Sequence, residues 1–224
     1  MIKSKKVLVV AAHPDDEIIG CGGTLLKHIF NKDEVCVVFA ADGESSRTNN
    51  LKKILIRKKQ AEIVKKKSKI KKTFFLNYPD NQMDTCKILD VSKSIYKVIQ
   101  EVRPDIIYTH HYNDLNIDHR ITFEAVMVAC RPVKNKKIHE IYCFEILSSS
   151  EWSGRNSLSF RPNVYVDISK FFKKKIELMK LYKNEIRPSP HPRSLESIKF
   201  KSRSRGSEVH SKYAEAFELI RIIR

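Results

Sequence analysis

The sequence lacks a cysteine framework. Its five cysteines are odd in number, none of them forms a C-x-x-C motif, and Cys36 and Cys143 lie inside apolar runs typical of strands. Small secreted domains rely on paired cysteines, whereas isolated cysteines in apolar runs favour buried thiols in a reducing compartment. We therefore predict a cytoplasmic protein whose cysteines are buried thiols.

Long hydrophobic runs are absent as well. No stretch approaches the about 20 apolar residues that a membrane-spanning helix needs. The first apolar run, residues 7–12, is too short for the core of an export signal and leads into the acidic residues at 15–17. The sequence therefore predicts neither a transmembrane segment nor an export signal.

Two common catalytic or cofactor motifs are also missing. Residues 20–23 (GCGG) lack the last glycine of the dinucleotide-binding G-x-G-x-x-G pattern, because Leu25 stands there, and the acidic residues before them would repel a pyrophosphate. These glycines instead indicate close packing at the entry to the first helix. The serines at 148–150 have no G-x-S-x-G elbow around them, so they do not predict a serine hydrolase.

Acidic residues are scarce relative to basic ones. The 43 lysines and arginines against 26 aspartates and glutamates give a net charge of +17, which attracts anionic partners such as nucleic acid, acidic glycans, sugar nucleotides or lipid headgroups. Lysine runs such as 65–67 and 71–72 are also typical of solvated surfaces. Because these runs lack interleaved aromatics, we expect a small-molecule or glycan substrate, neutral or anionic, and no nucleic-acid partner. The sequence does not indicate an oligomeric state.

Strand-like and helix-like segments alternate through the first two thirds of the chain. Continuous apolar runs predict buried strands at residues 7–12, 35–40, 73–76, 105–110 and 141–146. Helices are predicted at about 22–31, 50–68, 91–102 and 118–130. This alternation predicts an α/β, Rossmann-like fold, in which a mostly parallel sheet is covered by helices on both faces.

The last third follows a different pattern. We expect a strand at 163–168, a helix at 171–184, a proline-rich loop at 186–194 and a second helix at 213–220. These elements are interpreted as a C-terminal cap, about residues 148–224, that completes the site on a core of about residues 1–147. Residues 1–224 are therefore expected to form a single domain.

Histidine and aspartate residues follow two of the predicted strands. Residues 13–17 (HPDDE) come directly after the first strand, and residues 110–120 (HHYNDLNIDHR) follow the fourth. Open α/β sheets bind ligands at the carboxyl ends of their strands, so both segments can converge on one ion. Three imidazole and carboxylate ligands with one open position describe a catalytic zinc site, in which the ion activates water. Surface residues that cap helices are the alternative.

The sequence resembles the PIG-L/LmbE-like N-deacetylases. The resemblance is carried by the HPDDE motif, by residues 118–119 (DH), by residues 41–44 (ADGE) and by residues 190–194 (PHPRS). Members of this family are zinc-dependent enzymes that hydrolyse the acetamide of N-acetylglucosaminyl conjugates. The resemblance implies that His13, Asp16 and His119 are the metal ligands. Zinc is the implied ion, and the same donors also suit Fe²⁺ or Co²⁺.

The resemblance also implies roles for two further carboxylates. Asp15 would be the general base, since a carboxylate beside ligand Asp16 can take a proton from the bound water without binding the ion itself. Asp118 would be a further catalytic carboxylate, which supports either the neighbouring ligand His119 or the proton-donating acid.

One position departs from the family pattern. The family often has a histidine where this chain has Asn116, and that histidine helps to protonate the leaving amine, which asparagine cannot do. His191, in a Pro-His-Pro segment, is the candidate for the missing acid, with His110 and His111 behind it; an ordinary loop histidine is the alternative. Without such an acid, Asp15 would carry the proton alone.

Two arginines and the single tryptophan are further candidates for substrate contacts. Arg47 and Arg193 can bind a phosphate or carboxylate on the substrate, although solvated loop arginines fit the same sequence. Trp152 either stacks on a sugar ring or packs against the protein. The sequence thus predicts a metal-dependent hydrolase that removes acetyl from an N-acetylated amino-sugar conjugate, releasing acetate and a free amine. The alternatives are a basic nucleic-acid-binding protein and a metal-binding family member without activity.

Overall fold

Seven strands form one sheet. The computed structural model describes residues 4–47, 50–132, 138–154 and 159–224. Its strands are β1 Lys6–Ala11, β2 Glu34–Ala41, β3 Lys72–Tyr78, β4 Ile106–His110, β5 Glu140–Phe144, β6 Val164–Asp167 and β7 Ala214–Ile222. Its α-helices are α1 Asp16–Phe30, α2 Leu51–Ser68, α3 Ile88–Val102, α4 Ile117–Ala129, α5 Phe172–Met179 and α6 Leu195–Ser207.

The order of the strands confirms the predicted fold class. The sheet runs β3-β2-β1-β4-β5-β7-β6, and β1 to β5 are all parallel. Only β7 runs against its neighbours, pairing antiparallel with both β5 and β6 within the described residues. The molecule is therefore an α/β fold with a mostly parallel sheet, as the alternation of elements predicts.

Each face of the sheet carries its own hydrophobic core. Val7 and Val9 of β1 pack into the core that α1, α2, α5 and α6 share, whereas Leu8 and Val10 pack into the core under α3 and α4. Successive side chains of a strand point to opposite faces, so a strand covered on both sides must be apolar throughout. This explains the continuous apolar run of β1.

Helix α1 starts earlier than the sequence predicts and is broken once. It begins at Asp16 instead of about residue 22, and the backbone leaves helical geometry at Cys21, where φ is −144°. The glycines around this break are packed closely, as predicted. A Cβ atom on Gly20 would lie 2.4 Å from the Phe144 ring, so only glycine lets α1 approach β5 at this point.

A buried ion pair supplies partners for the backbone groups that the break in α1 leaves free. The Glu215 carboxylate accepts hydrogen bonds from the N–H groups of Gly23 (2.8 Å) and Thr24 (2.7 Å). The Lys175 ammonium donates to the Ile19 carbonyl (2.9 Å) and to Glu215 (2.7 Å). All of these groups are buried, and unpaired they would destabilise the fold, so α5 and β7 complete helix α1.

The C-terminal part of the chain differs most from the expectation. The helix predicted at 213–220 is wrong, because Ala214–Ile222 is strand β7. Alanine, glutamate and leucine favour helix locally, but pairing with two strands and burial between two layers outweigh that preference. Helix α5 is shorter than predicted, and α6 was missed because its sequence is mostly polar, with Ile198, Ser202 and Gly206 buried.

The centre of the sheet creates a crevice for a site. The chain crosses from β1 to β2 on one side and from β4 to β5 on the other, while β1 and β4 are neighbours. Connections that leave in opposite directions open a gap at the carboxyl ends of these two strands, where open α/β sheets bind ligands. Within the described residues, no helix combines the length and apolar character needed to cross a membrane.

Candidate active site

The HPDDE segment turns sharply between β1 and α1. The Asp16 N–H donates to the His13 carbonyl (3.2 Å), and the His13 N–H donates to the Asp16 carboxylate (2.9 Å). Asp15 lies at the turn with φ of 136°, a left-handed conformation that is unusual for a residue other than glycine. This backbone sends the three neighbouring carboxylates at positions 15, 16 and 17 toward different partners.

Three of the predicted residues meet around one carboxylate oxygen. Asp16 Oδ2 lies 3.2 Å from His13 Nδ1 and 3.4 Å from His119 Nε2, and all three side chains are buried. Asp16 Oδ1 and His119 Nε2 have no hydrogen-bond partner among the described residues. Buried polar atoms are almost always paired, so these free atoms fit a cation held by His13, Asp16 and His119.

The second nitrogen of each imidazole faces another carboxylate. His13 Nε2 lies 2.9 Å from Asp118 Oδ2 and 3.1 Å from Asp80 Oδ1, and His119 Nδ1 lies 3.2 Å from Asp114 Oδ2. Histidines that bind a metal usually present their other ring nitrogen to a carboxylate, which fixes the orientation of the ring. Asp118, which was expected to support His119, therefore contacts His13 instead. Asp114 is the carboxylate that faces His119.

The buried carboxylates around His13 and His119 favour positive charge on these two rings. Burial opposes protonation of His119, but Asp16 and Asp114 outweigh it and raise its pKa to about 9. Burial also opposes protonation of His13, yet hydrogen bonds with Asp118, Asp16 and Asp80 raise its pKa well above the ordinary value. The raised pKa values favour protonation of the His13 and His119 imidazoles, and a divalent cation would take the place of these protons.

Asp15 pairs with two arginines instead of with the histidines. Its carboxylate lies 3.3 Å from Arg57 and 3.2 Å from Arg193, and it is completely buried. Burial raises the pKa of Asp15 to about 6, although both arginines act in the opposite direction. Asp15 Oδ1 lies in the ion pair with Arg57 at 3.3 Å but forms no hydrogen bond within the described part of the chain, so it keeps the capacity to accept a proton.

Glu185 gathers the same two arginines and a third one. It forms a two-pronged pair with Arg47 (2.7 and 3.0 Å), a close ion pair with buried Arg57, and a contact with Arg193 at 3.2 Å. We call Arg47, Arg57, Arg193 and Glu185 the arginine cluster. The two predicted substrate arginines thus stand together, beside Asp15, and share one carboxylate.

Glu17 is hydrogen-bonded both to the turn and to the segment after α5. Its carboxylate accepts the Asp15 N–H at 3.0 Å and the Tyr182 hydroxyl at 2.5 Å. Burial raises the pKa of Glu17 to about 8, so it is protonated at neutral pH. The segment after α5 is therefore bonded to the strained turn that carries Asp15.

Asn116 and His191 occupy different parts of the site. Asn116 caps helix α4, accepting the Asp118 N–H at 2.8 Å, and donates to Asn81 at 3.0 Å. The His191 ring stands edge-on to Trp152, with centroids 5.9 Å apart, and its Nδ1 accepts the Arg193 N–H. His191 is not among the converging ligand groups found within the described residues, which are His13 with Asp16 and His119, His110 with Asp114 and His119, and His13 with Asp80 and Asp118.

His110 and His111 also lie near the cluster. The His110 ring stacks on His119 with centroids 3.8 Å apart. Its Nε2 accepts the Ala12 N–H, so His110 links the end of β4 to the end of β1. His111 faces Glu218 instead, at 3.3 Å.

Sequence reasoning missed four residues of this site. Asp80 lies two positions after the end of β3, as His13 lies two positions after the end of β1, so the same strand-end argument that selected His13 could have found it. Asp114 lies within the second motif but was not assigned a role. Arg57 sits in a lysine-rich helix and Glu185 in a loop, where no sequence signal distinguishes them from solvated neighbours.

The chain is similar to known deacetylases in sequence. A family profile described as "PIG-L: GlcNAc-PI de-N-acetylase" matches residues 8–130. The "Uncharacterized deacetylase YaiS" of Escherichia coli K12 is 27% identical over 188 residues, which span 81% of this chain and 92% of that protein. The diacetylchitobiose deacetylase of Thermococcus kodakarensis is 26% identical over 205 residues, spanning 81% of this chain and 70% of that protein.

A solved structure has the same fold. The N,N'-diacetylchitobiose deacetylase from Pyrococcus horikoshii superposes with a TM-score of 0.79 and 23% identity, covering 97% of this chain and 84% of that one. At this identity the likeness concerns the fold alone.

The metal site can be tested by removing one ligand. His119→Ala should lose most of its bound divalent metal after dialysis, because two protein ligands remain of three. Metal content measured by plasma emission spectroscopy is the readout, and His139→Ala, which changes an exposed histidine, should keep it. Because the pKa of His119 is about 9 without the ion, affinity should rise with pH toward that value. Full occupancy in His119→Ala would overturn the ligand assignment.

Proposed function

The chain belongs to the PIG-L family of de-N-acetylases, whose profile spans residues 8–130, and we propose that it hydrolyses the acetamide of an N-acetylated amino-sugar conjugate. The observation that carries the proposal is the buried trio of His13, Asp16 and His119, with two ligand atoms left unpaired. The relatives named for diacetylchitobiose support an amino sugar as the substrate.

The cofactor in this proposal is a zinc ion held by His13, Asp16 and His119. Two imidazoles and one carboxylate match the donor set of catalytic zinc sites, and the same donors also accept Fe²⁺ or Co²⁺. When bound, the ion would supply Lewis-acid activation of water and of the acetamide carbonyl.

Asp15 is proposed as the general base. It takes the proton from the water whose oxygen attacks the acetamide carbon. Its Oδ1 lies 3.3 Å from Arg57 and forms no hydrogen bond within the described residues. A pKa of about 6 leaves Asp15 ionised at neutral pH yet basic enough to accept a proton. Ion pairs with Arg57 and Arg193 fix the position of the Asp15 carboxylate.

The leaving nitrogen needs a proton when its bond to the acetyl carbon breaks. Asn116 has no titratable proton to give. We assign this step to His191, because the loop that carries it also carries Arg193, which reaches Asp15. The products are then acetate and a free amine. One proton of the water goes to Asp15, and the other leaves with the acetyl group and passes to solvent as acetate forms. The amine leaves with the proton from His191, which is replaced when Asp15 releases the proton that it took. Asp118, bonded to His13, keeps that ring oriented.

Arg47 and Arg193 are proposed to favour an anionic group on the substrate. The three arginines pair with Asp15 and Glu185, and Arg47 also lies 3.9 Å from Glu44. Arg47 is partly exposed, and its fork can shift from Glu185 to a substrate phosphate or carboxylate.

The reaction is tested by a screen for released acetate. Purified protein should release acetate from N-acetylglucosamine conjugates, free or nucleotide-linked, after zinc is restored, and none after chelation. A metal-loaded protein that releases no acetate from any member of such a panel would favour the metal-binding alternative without activity.

The base is tested by one conservative change. Asp15→Asn should keep its metal but lose about 10²-fold or more in kcat, the scale of removing a general base. The wild type should lose activity as the pH falls through about 6, when Asp15 gains a proton, and the variant should lack this limb. Asp84→Asn, an exposed change, is the control. Near-normal turnover by metal-loaded Asp15→Asn would rule out the role.

The acid is tested in the same way. His191→Gln should lower kcat and remove the alkaline limb of the pH–rate profile, since that limb reports loss of the proton donor. Its metal content should match the wild type. An alkaline limb that survives in His191→Gln would leave Asp15 as the sole carrier of the proton.

A further inference from the structure

The outward side of helix α2 has an unusual composition. Nine residues of this helix are exposed, and every one of them is either aliphatic or lysine: Leu51, Lys52, Lys53, Leu55, Ile56, Lys59, Ile63, Lys66 and Lys67. We call these nine residues the outer face of α2. The opposite side packs on the protein through Arg57, Ala61, Val64 and Ser68.

The aliphatic side chains of the outer face are strongly exposed. Leu51 is 74% exposed, Leu55 56%, Ile56 47% and Ile63 46%. Single exposed leucines are ordinary, but several on one helix side mark a surface that another body covers. They are not needed for the fold, because the helix already buries its other side.

The charge of α2 restricts the kind of partner that can bind its outer face. The helix has eight basic residues and one acidic residue, Glu62, which already pairs with Lys65. Two copies of this face would repel each other, so a symmetric dimer through α2 is disfavoured. The complementary surface must be anionic.

The aliphatic residues distinguish between anionic surfaces. Nucleic acids and acidic glycans offer charge but no apolar phase for leucine and isoleucine. Binding of single strands relies on aromatic stacking, and α2 contains no aromatic residue. An anionic lipid bilayer offers both, because its headgroups attract lysine while the acyl boundary accepts aliphatic side chains.

We propose that the outer face of α2 docks the protein on the surface of an anionic lipid membrane. Leu51, Leu55, Ile56 and Ile63 enter the headgroup boundary, and the five lysines contact lipid phosphates. The inference stands independently of the proposed reaction.

Vesicle sedimentation with the full-length chain tests the proposal. The protein should sediment with vesicles of phosphatidylcholine and phosphatidylglycerol but weakly with phosphatidylcholine alone, and salt should weaken the binding. The double change Leu55→Ser and Ile56→Ser should reduce binding about tenfold or more, because less apolar surface enters the boundary. The charge reversal Lys66→Glu with Lys67→Glu should weaken it as well and reduce the salt dependence.

Helix α3 supplies a matched control. Leu89 is 56% exposed, the same as Leu55, and its neighbour Ile88 is also exposed, so Ile88→Ser with Leu89→Ser removes comparable surface elsewhere. This control should bind vesicles like the wild type, and circular dichroism should show all variants folded.

Three outcomes would overturn the proposal. The first is equal binding to both kinds of vesicle, and the second is equal loss in the α2 and α3 serine variants. The third is binding to DNA that survives Leu55→Ser with Ile56→Ser while vesicles are ignored, which would assign the lysines to nucleic acid. Should the serine pair fail to fold, the lysine reversal gives the same decision, since wild-type affinity in that variant also contradicts docking.

Discussion

The Asp16 carboxylate is the group around which the site is assembled. It lies completely buried at the start of α1, within 3.5 Å of His13, His110 and His119, and it accepts the His13 N–H. A charge placed there without partners would destabilise the fold strongly. The imidazoles, and a cation in the proposed holoenzyme, meet this requirement, and in doing so they join the ends of β1 and β4.

Two consecutive aspartates are given opposite surroundings. Burial disfavours charge on both, but His119 and His13 hold the pKa of Asp16 well below its usual range, whereas burial raises that of Asp15 to about 6. The left-handed backbone at Asp15 makes the separation possible, since it turns adjacent side chains toward different partners. Environments that push the pKa values of neighbouring acids apart are a common way to divide roles within a site. Asp16, which stays ionised, suits binding of a cation, and Asp15 suits accepting and releasing a proton.

The sequence was most informative where a local pattern and the tertiary environment agree. The apolar runs of β1, β2 and β4 are buried on both faces, so their composition reveals them, and the parallel order then brings His13 and His119 to one edge. Strand β7 was missed because its residues favour helix when isolated and become a strand only between β5 and β6. Arg57 and Glu185 could not be found either, since burial of a single charged residue depends on contacts distant in sequence.

The break in α1 ties the beginning of the fold to its end. The hydrogen bond from Gly23 to Glu215 spans 192 positions, and the one from Thr24 spans 191. Without these partners the backbone groups at the break would be buried and unpaired. The helix that presents Asp16 to the ligand cluster therefore depends on α5 and β7, at the far end of the chain.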